Sequence, residues 1–346
     1  MANYLDFEYD KKNDPKEVIV WEQNYETGKV EEKKYNVSDY LYFYIDAIDE
    51  QKADKEFTSQ RGTKIQRVEA EDYKSLKSGE AAKFYHGMNL NTYESDIEPI
   101  QKVMLDNYGK DNQKAASWNI ALYDIETDVK IEDTFMEMRE NAHREINAIS
   151  VWYSKPNKFY NFTVVPPALR DEWDFEKIEK RGNFEIIYFD NEADMLESFF
   201  DVTKQYETIA LGAWNGDFFD TKYIFDRSKM LWGEKGAAQR MGRFNKVRKT
   251  KVMLGDKEEL LIRPIGMIWY DCLEAYKKNG PELESFALNA VAEEELGTYK
   301  IEFEGTFETL YHGTRKDRAR FEELTPKAKR KSLQKRSNEI GKLVIE

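Results

Sequence analysis

The sequence predicts an α/β (α+β) protein of two domains, on three observations. Residues 117–312 alternate between short apolar runs and longer segments of helical period, the pattern of a sheet covered by helices. Residues 1–115 instead carry aromatic and β-branched runs separated by turn residues, which predicts a strand-rich domain. The chain has 346 residues, room for about two domains with real cores.

In the first domain, Val18 to Trp21, the turn at Glu26-Thr27-Gly28 and the run to Tyr35 read as a hairpin. Tyr40 to Ile45 is an aromatic strand and Lys64 to Val68 a third. Ile97, Ile100, Val103 and Met104 have helical spacing, which predicts a helix over 97–108. The polar stretch Lys110–Ala116 marks the boundary. In the second domain, strands are expected at Trp118–Glu126, Ile146–Tyr153, Phe159–Val165, Phe184–Phe189 and Thr208–Trp214, with a turn at Lys155-Pro156-Asn157. Helices are expected at Glu192–Tyr206 and Thr221–Leu231. Residues 313–346 stand apart as a basic tail: from Thr314 to Arg336 there are ten Lys/Arg against three acids, a local charge of +7.

Composition removes several function classes. The net charge of −13 excludes coating of nucleic acid by a uniformly basic surface, but not an enzyme whose cleft is acidic because it holds metal ions. A single cysteine, Cys272, allows no internal disulfide and fits a reducing compartment. The three histidines lie far apart and give no zinc spacing. No apolar run approaches 18 residues and the start is acidic and polar, so neither a membrane span nor a secretory signal is expected.

Two acidic elements carry the chemistry. D-x-E occurs seven times, so the spacing alone has little weight. At Asp124 it ends a strand that is apolar on both faces. Period-two alternation places Ile120, Leu122, Asp124 and Glu126 on one face and Ala121, Tyr123 and Ile125 on the other. Two carboxylates side by side repel, which a divalent cation relieves; a solvated strand end is the plain structural alternative. The second element is Ala213 to Tyr223, where a buried strand meets an Asn215-Gly216 turn and Asp220 falls at the start of a helix. Structure alone would make Asp220 an N-cap and Asn215 a turn former.

Together the two elements resemble the first two exonuclease motifs of family B DNA polymerases, above all the replicative polymerases of T-even-like tailed phages. Asp124-Ile125-Glu126-Thr127 matches the first motif. Trp214, Asn215, Phe219, Asp220 and Tyr223 match the second. Tyr40–Ile45 and the phrase ESDIEPIQKVMLDNY resemble that family's N-terminal domain. Arg248–Lys251, Gly255-Asp256 and Leu260–Ile262 resemble its exonuclease hairpin, and Gly266–Lys278 the strand and helix beyond. The resemblance covers roughly residues 15 to 311. It implies a ribonuclease-H-like 3′–5′ exonuclease domain over 116–312, preceded by an N-terminal domain over 1–115. It implies Asp124, Glu126 and Asp220 as catalytic ligands of two Mg²⁺ or Mn²⁺ ions. Asn215, Phe218 and Phe219 would then lie beside the substrate, a single-stranded DNA 3′ end or primer-template, in the cytoplasm of an infected bacterial host.

The family's third motif, Tyr-x-x-x-Asp, supplies a fourth carboxylate and a water-orienting tyrosine. The aspartates after Asp220 are Asp226, Asp256, Asp271 and Asp317, and none has a tyrosine four positions before it. Tyr42 and Asp46 have that spacing, but in the N-terminal domain. No polymerase catalytic motifs follow. Three explanations fit. A separate polymerase-domain polypeptide supplies the third motif and docks with the help of the tail; or Asp271 or Asp317 substitutes as fourth ligand; or the chain is a catalytically incomplete nucleic-acid-binding module.

Overall fold

The computed structural model describes residues 2–9, 16–24, 26–109, 118–128, 130, 133–166, 170–171, 173–176, 178–254 and 256–299. The 110–116 boundary, Asp317 and the whole basic tail lie outside the described residues. Two compact units divide between residues 117 and 118.

In the first unit, β1 (Ala2–Tyr9), β2 (Glu17–Asn24) and β3 (Val30–Asn36) form an antiparallel sheet. β2 and β3 are the expected hairpin. Its turn is held by Asn24, whose Oδ1 accepts the N–H groups of Glu26 and Thr27 at 2.8 and 3.1 Å. β1 was not legible in the acidic N-terminal residues. A 3-10 turn, Val37–Tyr40, precedes β4 (Tyr42–Asp46). The aromatic strand therefore starts two residues later than expected, because Asn36 accepts the Ser38 N–H and begins a turn there. β4 pairs antiparallel with β5 (Ile65–Glu69) and β6 (Thr92–Tyr93). Two short helices, α1 (Tyr73–Ser78) and α2 (Glu80–Gly87), lie between.

The expected helix is α3 (Pro99–Tyr108), opened by Pro99 and a Glu98–Gln101 capping box. Ile100 and Val103 pack it against Val18, Val20 and Val37. Lys102, on the same helix, is 1% exposed and its Nζ has no hydrogen-bond partner. The Nζ lies 4.4 Å from the centre of the Tyr42 ring, which also carries the Arg67 guanidinium at 3.9 Å.

The second unit is built on a seven-stranded sheet. Its elements in chain order are β7 (Asn119–Thr127), α4 (Phe135–Asn141), β8 (Ile146–Tyr153), β9 (Lys158–Val164), β10 (Glu179–Arg181), β11 (Phe184–Phe189), α5 (Glu192–Gln205), β12 (Thr208–Ala213) and α6 (Asp220–Met241). There follow β13 (Val247–Leu254), β14 (Lys257–Pro264), β15 (Ile268–Asp271), α7 (Cys272–Asn279) and α8 (Leu288–Leu296). The sheet order is β10-β11-β9-β8-β7-β12-β15. β7, β12 and β15 run parallel, β8 is antiparallel to β7 and β9, and β11 is parallel to β9. A mixed sheet with helices in the second unit, and a strand-rich first unit, are the fold class the sequence predicts.

One face of the sheet is sealed. Tyr123, Ile149, Phe162 and Leu211 pack there against Met195 and Phe199 of α5 and Ile224 of α6. Glu192 and Arg227 tie these two helices with a buried two-pronged ion pair, and the Ile146 N–H donates to the same carboxylate at 2.8 Å. α6 is longer than the expected 221–231 helix. It continues to Met241 through a break at Gly233, whose φ of +72° suits glycine. β13 and β14 form a separate antiparallel hairpin.

Candidate active site

β7 delivers the first acidic pair. Its residues alternate strictly: Ala121, Tyr123 and Ile125 are buried, while Ile120, Leu122 and Asp124 are exposed and Glu126 is half-buried. The strand is apolar on both faces, but only one of them is buried. Ile120 and Leu122 remain 40% and 45% exposed, so the carboxylate face is open. Asp124 pairs across to Ser150, and the β7–β8 register shifts between Glu126 and Thr127. A bulge of this kind re-aims the side chains at a strand end.

β12, parallel to β7, leads into the loop 214–219. Asn215 has φ +61°, and its carbonyl accepts the N–H groups of Phe218 and Phe219 at 3.2 and 3.0 Å. At Gly216 a side chain would meet the Ala213 Cβ at 2.9 Å, so the tight turn requires glycine. α6 then starts on Asp220. Its N-cap position is Phe219, which makes no side-chain cap, so the N-cap alternative for Asp220 does not hold. Asp220 is 3% exposed, and its Oδ1 accepts the Ile125 N–H from β7 at 3.4 Å. Next to it, Thr221 Oγ1 and the Tyr123 hydroxyl are 2.8 Å apart and buried.

The three predicted carboxylates are thus electrostatically coupled. Burial, and then the charge of Asp124 and more weakly Glu126, pushes the Asp220 carboxyl up to about 8. The Tyr123 phenol is held well above its ordinary value, first by burial and then by the charge of Asp220. Among the described residues no three His, Cys, Asp or Glu side chains are gathered into a ready metal site. The donor chemistry nevertheless fits a hard divalent cation: carboxylate oxygens only, with mutual repulsion that a cation offsets. Asp271 is committed elsewhere. Its Oδ1 caps α7 through the N–H groups of Leu273 and Glu274 at 2.9 and 3.2 Å, and its Oδ2 accepts the Asp217 N–H at 3.0 Å. Three of the acceptor positions of Asp271, which the sequence offers as a substitute fourth ligand, thus anchor a helix and a loop.

The aromatics beside the site divide by role. Phe219 packs on the core and lies 5.4 Å from the Tyr223 ring. Phe218 is half-buried, with the Arg139 guanidinium 6.0 Å from its ring. Phe135, 58% exposed, stacks on Phe219 with centroids 5.2 Å apart and planes at 22°. Sequence reasoning missed Phe135 and Arg139 because 128–145 shows no clear period; the exposed Phe135-Met136 pair was the one available signal. This segment is clamped onto α6. Lys222 donates to the Arg139 carbonyl at 3.0 Å, the Tyr223 hydroxyl donates to the Arg144 carbonyl at 2.8 Å, and Arg144 donates to Asp133 at 2.7 and 2.9 Å. Arg139 also pairs with Glu259 of β14.

Comparison with known proteins bears on this geometry. The family described as DNA polymerase family B, exonuclease domain, matches residues 77–291. The DNA-directed DNA polymerase of Escherichia phage RB69 is 31% identical over 215 residues, covering 55% of this chain and 22% of the phage protein. That of Enterobacteria phage T4 is 31% identical over 190 residues, covering 49% and 20%. The chain thus spans about a fifth of the length of these curated relatives. With both motifs on adjoining elements of a mixed sheet, the chain belongs to the exonuclease-domain family of family B DNA polymerases, on its phage side.

Proposed function

We propose that this chain is the 3′–5′ proofreading exonuclease portion of a phage-type replicative polymerase and hydrolyses the 3′-terminal phosphodiester of DNA. The observation that carries the reading is the bond from the Ile125 N–H to the Asp220 carboxylate. It links residues 95 apart in sequence and sets the carboxylate of the second motif against the strand of the first.

Asp124, Glu126 and Asp220 are the residues that would hold two Mg²⁺ or Mn²⁺ ions. Bound there, such ions would supply an activated water and charge stabilisation of the leaving 3′-oxygen. The chain's own part is to bind and orient. Asp124 faces solvent, where a phosphodiester can approach. Asp220 is fixed from behind by β7. Phe135 and Phe218 offer aromatic surface to a frayed base, and stacking tolerates any base. Asn215, in the turn between β12 and Phe218, is placed to order the primer end. The β13–β14 hairpin, with Arg248, Lys249 and Lys251, lies on the same unit and suits contact with the phosphate backbone.

Residues 1–115 and 116–312 are read as the N-terminal and exonuclease domains, and 313–346 as a basic tail that contacts DNA or a partner. A separate polypeptide with the polymerase domains, supplying the missing Tyr-x-x-x-Asp motif, completes this proposal. Among the described residues no helix is long and apolar enough to cross a membrane. The host cytoplasm, where replication proceeds, is the expected location.

The test is degradation of 3′-labelled single-stranded DNA with Mg²⁺ or Mn²⁺, by the chain alone and with a polymerase fragment that carries the third motif. Activity that disappears in Asp124→Ala/Glu126→Ala supports the reading. A wild type as inert as that double variant in both settings overturns it. Salt-dependent nucleic-acid binding that persists in both proteins would then identify a binding module.

A further inference from the structure

We propose that Asp217 and Arg263 form a latch, anchored on Asp271, that positions the Asp220 carboxylate for metal binding. The proposal rests on the exonuclease reading of the site. Asp217 lies in the loop between β12 and α6, three residues before Asp220, and is 8% exposed. A carboxylate taken that far out of water needs a cation and hydrogen bonds around it. Arg263 of β14 supplies both prongs of its guanidinium, Nη1 to Oδ1 at 2.5 Å and Nη2 to Oδ2. The Asp217 backbone is held as well, its N–H donating to Asp271 Oδ2 at 3.0 Å. One loop residue is therefore fixed through its main chain by β15 and through its side chain by β14.

The latch stands next to the proposed chemistry. The buried Tyr123 phenol, bonded to Thr221, feels the charges of Asp220, Asp217 and Asp124 together. Asp217 is thus a further negative charge three residues from Asp220 on the same loop. Arg263 neutralises it, so Asp217 can brace the loop without adding to the repulsion. The hairpin grips the loop a second time, since Glu259 of β14 pairs with Arg139, whose guanidinium lies against Phe218. β14 therefore carries two of the attachments that locate the loop leading to Asp220. Asp217 and Arg263 are positioning residues and touch no substrate in this scheme.

Arg263→Gln separates positioning from simple electrostatics. Removing a positive charge near three carboxylates would, by itself, tighten Mn²⁺ binding; loss of the latch loosens it. Outer partners of metal ligands typically contribute about 10–100-fold in affinity or activity. Arg263→Gln is therefore expected to bind Mn²⁺ about tenfold more weakly than wild type, read from the EPR signal of free Mn²⁺ without DNA. Its kcat on single-stranded DNA should fall by about tenfold or more with KM little changed. Asp217→Asn added to Arg263→Gln pairs amide with amide, and should recover most of both losses.

Mn²⁺ binding by Arg263→Gln as tight as wild type, or tighter, overturns the proposal. So does a double variant that is no better than the single one while both melt like wild type. If Arg263→Gln fails to fold, Arg263→Lys, which keeps the charge and loses the fork, carries the same comparison: weaker Mn²⁺ binding supports the latch and unchanged binding overturns it. A wild type that binds Mn²⁺ but cleaves no DNA, alone and with a polymerase fragment that carries the third motif, removes the exonuclease reading and leaves the latch to be judged on Mn²⁺ binding. A wild type that binds no Mn²⁺ in either setting overturns both.

Discussion

The rings of Phe135 and Phe219 lie nearly parallel, 22° apart in tilt and 5.2 Å between centroids, although they come from opposite ends of the site's sequence. Phe219 is anchored on the core, whereas Phe135 is 58% exposed. Phe135→Ala should therefore leave thermal stability almost unchanged. A stacked base is worth about 1–3 kcal/mol, so KM for single-stranded DNA should rise by roughly tenfold, with kcat less affected. Steady-state kinetics on an unpaired 3′ end, beside a melting curve, checks both halves.

Asp220 makes stability depend on pH in a direction opposite to that of most carboxylates. Its folded-state value is about 8, above the ordinary 3.8. The folded chain therefore holds a proton that the unfolded chain has released. Stability from this group is complete below about pH 4 and declines as pH rises to about 8, by up to about 1.4 kcal/mol per unit. Asp220→Asn keeps an oxygen for the Ile125 N–H and carries no charge. Its Tm in metal-free buffer should exceed wild type, with a gap that widens from pH 4 to pH 8. A constant gap would show that Asp220 is not the titrating group.

Lys102 sets a second pH dependence, in the N-terminal unit. Burial lowers its ammonium from 10.5 to about 8. In the window from about 8 to 10.5 the unfolded chain binds the extra proton, so stability from this group rises with pH. Lys102→Met, of similar length and apolar, should stabilise the unit below pH 8, and the gain should shrink towards pH 10.5. Denaturant midpoints at pH 7 and pH 10 test the sign.

Breaking the Glu192–Arg227 pair should be costly. Glu192 is 3% exposed and Arg227 9%. Arg227→Met strands a buried carboxylate, with an expected loss of about 3–5 kcal/mol. Arg227 also donates to the Ala142 carbonyl at 3.2 Å, so hydrogen exchange should rise around residues 138–146 as well. Global destabilisation without that local change would place the pair's role in α5 and α6 alone.

The fold was legible where side chains repeat with the backbone. β8 and β11 fall on the residues that alternation predicts, and Asp124 and Glu126 share a face because a strand has period two. Legibility failed where tertiary contacts override local pattern. The α6 helix passes Gly233, which reads as a stop. β1 forms at the start of the chain because β2 offers it an antiparallel ladder, interrupted once between Tyr4 and Asp6, and because Phe7 and Tyr9 pack on the core. At the site, Asp217 falls between motif residues, and nothing in the sequence singles it out. Its partner Arg263 is 46 residues away on a hairpin, and a carboxylate's need for a guanidinium has no sequence period. Asp271 was legible as an acid near the site, but its work as a helix cap depends on backbone N–H groups that only the folded chain presents.

The strict alternation of β7 also bears on misassembly. Sliding β7 by one residue against β8 would turn Asp124 and Glu126 into the helix-covered layer and push Tyr123 and Ile125 out to water. Such a chain would bury two uncompensated charges and lose the core packing of Ala121, Tyr123 and Ile125 at once. The residues proposed for catalysis therefore also act as proofreaders of the sheet itself: a molecule with the wrong register is unstable in the same stroke that leaves it without a nuclease site.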